Sequence, residues 1–195
     1  MANSDTPFGF KPVKHLSGAP WNGKANVYYI PATDNTAMFK GDAVKSAGDA
    51  DATGRFPTVT QAAAANTIRG VVIGFGDNPN VMVQADYPLR YYRPAATAMY
   101  CLVVDDPFVI FEIQEDSVGN SITAAMVGLS TDIVVGAGST TTGKSAMELD
   151  SSDTATAAGQ CKILRLVNRE DNELGNHAKW EVTIIEHEML SSTDV

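Results

Sequence analysis

The chain has 195 residues and 20.7 kDa, with 44% apolar and 19% charged residues, enough to bury a core and too apolar for wholesale disorder. Acidic residues number 23 against 14 Lys plus Arg, a formal charge of −9 with a pI near 4.7. That balance opposes direct nucleic-acid binding through phosphates and adhesion to an anionic membrane surface.

Residues 1–26 read as an extended arm. Pro7, Pro12 and Pro20 with Gly9, Gly18 and Gly23 interrupt both helix and sheet. The same stretch carries Phe8, Phe10 and Trp21, aromatic anchors that need a surface to receive them. That surface belongs either to a neighbouring molecule or to the chain's own domain, where the arm would cover a sheet edge. The polar start has no apolar h-region, so no secretory leader is expected, and the apolar stretch Gly70–Gly76 is far too short to span a bilayer.

From residue 27 to 195 the sequence reads as one β-rich domain. Strands are expected at Val27–Ile30, Ala43–Lys45, Phe56–Thr60, Ile68–Phe75, Val81–Gln84, Leu89–Tyr92 and Ala98–Val104. Further along, Phe108–Gln114, Asp132–Val135, Ala146–Leu149, Cys161–Val167 and Trp180–His187 complete the set. Gly41-Asp42, Gly48-Asp49, Asp77-Asn-Pro79, Asp105-Asp-Pro107 and Gly119-Asn120 punctuate them with turn chemistry. The run Phe108–Ile113 is nearly continuous in apolar character and predicts a central strand covered on both faces. Gln61–Asn66 and Ser121–Met126 could each form a helical turn, and neither sustains a 3.6-residue stripe. Gly136–Gly159 reads as long loops around one short strand. The expected fold is therefore all-β, a barrel or sandwich of many short, mostly antiparallel strands with few short helices. Cys101 and Cys161 fall inside apolar strands, where free buried thiols are the expected state.

Gly138-Ser-Thr-Thr-Thr-Gly143-Lys144-Ser145 matches the P-loop pattern, whose physics requires a helix to begin at the lysine so that its N-terminus faces phosphate. The residues that follow, Ala146 to Thr156, are rich in Ser, Asp and Thr and show no apolar stripe. The Walker-B-like run Tyr100–Asp106 also precedes the glycine loop, the reverse of the usual order. A loop is the expected state, with a nucleotide-binding protein as the alternative. Asp49-Ala-Asp51-Ala-Thr53-Gly54 imitates the opening of an EF-hand, yet its twelfth position is Thr60 where a bidentate Glu should stand. His15, His177 and His187 are too scattered for a metal site to be read from spacing, and alternation along Glu186-His187-Glu188 sends imidazole and carboxylates to opposite faces. Neither cysteine has an activating neighbour and no Gly-x-Ser-x-Gly occurs, so no catalytic residue, cofactor or metal is assigned. Tyr87, Arg90, Tyr91, Tyr92 and Arg93 cluster within eight residues; aromatic and Arg side chains are favoured at protein interfaces, and this cluster is the second candidate contact surface.

Pro7-Phe-Gly-Phe-Lys-Pro12, Trp21-Asn-Gly23, Tyr28-Tyr-Ile-Pro31 and Phe39-Lys-Gly-Asp42-Ala-Val44 follow one another closely. With Ile68-Arg-Gly-Val-Val72, Phe111–Asp116 and Asp171-Asn-Glu-Leu-Gly175, this order of strings resembles the cement, or decoration, proteins of tailed-bacteriophage heads. The resemblance implies a non-enzymatic virion protein that assembles in the host cytoplasm, often as a homotrimer. It would bind the major capsid protein on the outer surface of the icosahedral shell, between neighbouring capsomers. A tail, baseplate or head-fibre component is the nearest alternative, and a ligand-binding β-barrel a more distant one. In this reading Phe8, Phe10 and Trp21 dock on a neighbour, so deletion of residues 1–26 should leave a folded domain that decorates heads poorly.

Overall fold

The structure, a computed structural model, describes residues 3–84, 86–154 and 159–190. In chain order the strands are β1 (Lys11–His15), β2 (Asn26–Ile30), β3 (Met38–Phe39), β4 (Ala43–Ala50), β5 (Pro57–Gln61), β6 (Gly70–Gly76) and β7 (Tyr92–Arg93). They continue with β8 (Met99–Val104), β9 (Val109–Gln114), β10 (Ser130–Thr131), β11 (Ile133–Gly136), β12 (Ala146–Leu149), β13 (Cys161–Leu166) and β14 (Lys179–Ile184). The only helical element among the described residues is a 3₁₀ turn, Ala124–Met126. The fold is all-β, as the sequence predicts.

Five strands close into a barrel in the order β2-β5-β4-β6-β8. Alternation along β2 turns Tyr28 and Ile30 inward, where they meet Val44, Val59, Phe75 and Cys101. Every pairing between named strands is antiparallel except that of β2 with β5, a parallel junction carried by one residue pair, Tyr29 with Thr58. Outside the barrel the ring of Tyr100 packs against Tyr29 at 5.2 Å and Phe56 at 5.3 Å between centroids, beside that junction.

A five-stranded sheet, β1-β9-β14-β13-β10, lies against the barrel wall. Its inner face contributes Phe111, Ile113, Trp180, Val182 and Ile163, and the barrel contributes Ala43, Val71 and Val104, with Ile68 just ahead of β6, to the same core. All six residues of β9 are buried, as the apolar run of the sequence requires of a central strand. On the sheet's other face, Glu112 pairs with Arg169 (2.8 Å) and Lys11 (3.5 Å), and Glu181 with Arg165 (2.7 Å) and Lys14 (2.9 Å). Burial works against the charge on Glu181, but Lys14 and Arg165 outweigh it and hold the carboxyl below its ordinary range.

Residues 3–26, expected as an extended arm, are built into the domain. Lys11–His15 forms the edge strand of the sheet on β9, despite Pro12, because an edge position next to a register shift tolerates a missing N–H. Phe10 is 3% exposed and meets Phe111 edge to face at 5.8 Å. Upstream, Gln114 donates to the Ser4 carbonyl and accepts from the Thr6 N–H, while Asn3 binds the backbone of Glu173 and Asn176. Removing residues 1–26 would take away an edge strand and a core ring of the same sheet and core.

Two expected strands are corrected. Val81–Gln84 forms turns, started by the Asn78 side chain accepting the Asn80 N–H. Of Leu89–Tyr92 only Tyr92 enters a named strand, β7, which pairs with β3. Both segments lie on β6, where Gly74 and Gly76 leave room: a Cβ on Gly74 would meet Leu89 at 2.9 Å, and one on Gly76 would meet Tyr87 at 2.8 Å. β1, β3 and β10 were not legible, the first because of its proline and the others because two residues show no period. Cys101 and Cys161 are free and buried, and burial pushes both thiols up. Of the expected long loop region, residues 155–158 lie outside the described residues.

Candidate interaction face

The turn Phe39-Lys-Gly-Asp42 organises the most complex part of the surface. Asp42 is buried and its Oδ2 accepts the Phe39 N–H and the Gln61 amide, each at 2.9 Å, with the Ser145 hydroxyl as a further partner. Burial pushes the Asp42 carboxyl up, and these donors oppose the push. Fixing Asp42 presents the Lys40–Gly41 backbone to three other segments. The Lys40 N–H donates to the carbonyls of Tyr91 (2.7 Å) and Gly143 (3.2 Å), and its carbonyl accepts the Ser145 N–H at 3.0 Å. The Gly41 carbonyl accepts the Phe10 N–H at 2.8 Å. Gly41 has φ +98°, and a Cβ there would stand 2.6 Å from the Phe8 carbonyl oxygen, so this junction requires glycine.

Loop 138–145 packs on that junction, which accounts for its glycines. A Cβ on Gly138 would lie 2.2 Å from the Phe39 ring, and one on Gly143 2.3 Å from Tyr91 Cβ. Ser145 runs directly into β12, so no helix starts at Lys144, and the phosphate cradle of a P-loop is not formed. The EF-hand-like run is a hairpin turn between β4 and β5: Asp51 Oδ1 accepts the N–H groups of Arg55 and Phe56 at 2.9 and 3.1 Å.

Beside the junction opens a groove of about 960 Å³ floored by Phe8, Trp21, Ile73, Leu89 and Tyr91. Lys11, Lys40, Lys144 and Arg169 stand around it, and Lys40 Nζ lies 5.4 Å from the centre of the Tyr91 ring. Neither Lys40 nor Lys144 has an ion pair among the described residues. A second cleft of about 830 Å³ shares Trp21, Ile73 and Leu89 with the first and adds Tyr87, Met82, Asp105 and Asp106. The two adjoin through these shared residues; lysines and Arg169 outnumber the carboxylates of Glu112 and Asp171 around the first, and Asp105 and Asp106 line the second.

Of the residues singled out from sequence, Phe8, Trp21, Tyr87 and Tyr91 therefore share this face, with Tyr91 the most open at 58% exposed. Arg90 is exposed and ion-paired with Asp77 at 2.8 Å. Tyr92 is half-buried and stacks on Phe39, with centroids 5.9 Å apart. Two expectations fail on burial. Phe10 belongs to the chain's own core, and Arg93 is 0% exposed. The Arg93 guanidinium donates to the carbonyls of Thr97 (2.6 Å), Thr36 (2.7 Å), Pro31 (2.8 Å) and Asp34 (3.0 Å), which makes it an internal brace for two loops. Burial lowers its pKa, and the nearby Asp34 carboxylate opposes that. Lys11, Lys40 and Lys144 on the groove rim were not singled out as contact residues, since isolated lysines give no periodic signal in sequence.

No family model, curated protein or solved structure matches this chain.

Proposed function

We propose that the protein is a structural component of a tailed-phage virion, a cement protein that binds the major capsid protein on the outer surface of the icosahedral head. The reading rests on the string-by-string resemblance described above. The observation that carries it into structure is the groove in which Phe8, Trp21 and Tyr91 lie beside Lys40 and Lys144. Rigid aromatic side chains with flanking cations are the residue types that dominate binding energy at protein interfaces. On a chain of charge −9, a local cationic patch steers an acidic partner surface to one face and repels it elsewhere. In this proposal three copies associate where capsomers meet, and preferential binding to the expanded shell stabilises that state by linkage.

The test is quantitative decoration of purified heads lacking the protein. Wild type should saturate expanded heads in hundreds of copies and bind unexpanded heads more weakly. A Tyr91→Ala, Lys40→Glu, Lys144→Glu variant should remain folded and lose at least about tenfold in affinity. Absence of binding to heads would end the proposal; undiminished binding of the variant would remove this groove from it.

A further inference from the structure

We infer that Asp5, Glu148 and His177 form a binding site for one divalent transition-metal ion of the zinc type. The three residues come from distant parts of the chain: the N-terminal segment, β12 and the turn that precedes β14. Each offers one ligand atom, and these atoms all lie within 4.8 Å of one another. His177 Nδ1 stands 3.9 Å from Asp5 Oδ1, too far for a hydrogen bond, and a small rotation of the exposed Asp5 side chain brings both within reach of a common ion.

The independent observation is a pair of unsatisfied atoms. Glu148 Oε1 and His177 Nδ1 are closed off from solvent within half-buried side chains and have no hydrogen-bond partner among the described residues. Buried polar atoms are almost always paired, so two orphaned ligand atoms in one cluster call for a common partner. Both are acceptors when the carboxylate is ionised and the imidazole carries its proton on the other nitrogen. In that protonation state neither can donate to the other, and a cation satisfies both.

The donor set fixes the class of ion. Calcium and magnesium favour oxygen-only shells, whereas one imidazole nitrogen with two carboxylate oxygens suits zinc and its neighbours, with positions left for water. The protein also holds the ligands in place. The His177 N–H donates to Ser117 Oγ at 2.5 Å and its carbonyl accepts Gln114 Nε2 at 2.8 Å. Glu148 is held by the pairing of β12 with β11. Asp116, itself anchored by Ser151, adds a further negative charge that acts on Glu148. An ion here would fasten the N-terminal segment to β12 and the 177 turn.

Calorimetric titration of the full chain with Zn²⁺ tests the site. One ion per chain is expected, with Mg²⁺ and Ca²⁺ unable to displace it. Asp5→Asn and His177→Gln should each weaken the affinity at least about tenfold. Asp5 is exposed, so its variant keeps the fold whatever happens at His177. Zn²⁺ should also slow hydrogen exchange in the segment containing residues 3–8 of the wild type and fail to do so in either variant. No Zn²⁺ binding, unchanged affinity in both variants, or equal affinity for Ca²⁺ would overturn the assignment.

Discussion

Arg93 provides the sharpest test of the distinction between a brace and a contact residue. Its guanidinium reaches four carbonyls from inside the protein, with no surface left to offer a partner. Each hydrogen bond from a charged donor contributes about 1.5–3 kcal/mol, and these contributions do not add in full because one side chain makes them all. Removing one member of a buried charged arrangement typically costs about 3–5 kcal/mol. Arg93→Ala should therefore cost about 4 kcal/mol, a large part of the roughly 5–15 kcal/mol that holds a domain together. Arg93→Lys keeps the charge but replaces three donor nitrogens with one, so it should recover only part of that loss. Urea denaturation followed by tryptophan fluorescence gives both values, with an unchanged slope showing that the denatured state is unaffected. A cost below about 1 kcal/mol for Arg93→Ala would refute the bracing role.

Phe10→Ala should destabilise by about 3–5 kcal/mol, the usual cost of deleting a buried ring, as read by the same denaturation. A docking anchor would leave stability unchanged. In loop 138–145, Gly143→Ala forces a β-carbon into Tyr91 on a backbone with φ +68° and should cost about 2 kcal/mol or more, whereas Lys144→Ala should be neutral in thermal unfolding. Equal effects would mean that the glycine is not needed for packing. Glu115 is buried, and burial pushes its carboxyl up to about 7 from 4.5, against the Ile122 N–H that it accepts at 2.6 Å. Its contribution to stability is thus full below about pH 4.5 and lost as pH rises through about 7. Glu115→Gln should be more stable than wild type above about pH 8, by up to about 3 kcal/mol, with the gap closing towards pH 4.5. A gap independent of pH would refute the assignment.

The fold class was legible because β-branched and aromatic runs alternate with turn residues: ten of the twelve expected strands coincide with observed ones over most of their length, and an eleventh shares only Tyr92 with β7. The two on 81–92 went differently for a definable reason. Val81-Met-Val has strand composition, but the glycines of β6 offer a bed on which that segment packs side-on as turns. Composition cannot report such a bed, because it depends on residues several positions away and on the opposite surface. The same limit applies to Phe8, Phe10 and Trp21. Aromatic content marked the N-terminal segment as anchored, but only the partner surface separates Phe10 in the core from Phe8 and Trp21 on the groove. Arg93 and Arg90 lie three residues apart and are indistinguishable in sequence; one is sealed inside and the other pairs with Asp77 at the surface. The Asp5–Glu148–His177 cluster left no trace in spacing, since its members are brought together by tertiary structure alone.

The parallel contact of β2 with β5 has a mechanical consequence. With one bridging pair against five for β2 with β8, it is the stave joint at which the cask would spring first under strain. The rings of Phe56, Tyr100 and Tyr29 lie across it like a hoop, replacing missing backbone bonds with lateral adhesion. Shear resistance at this joint thus rests on three half-buried rings as well as on the backbone ladder.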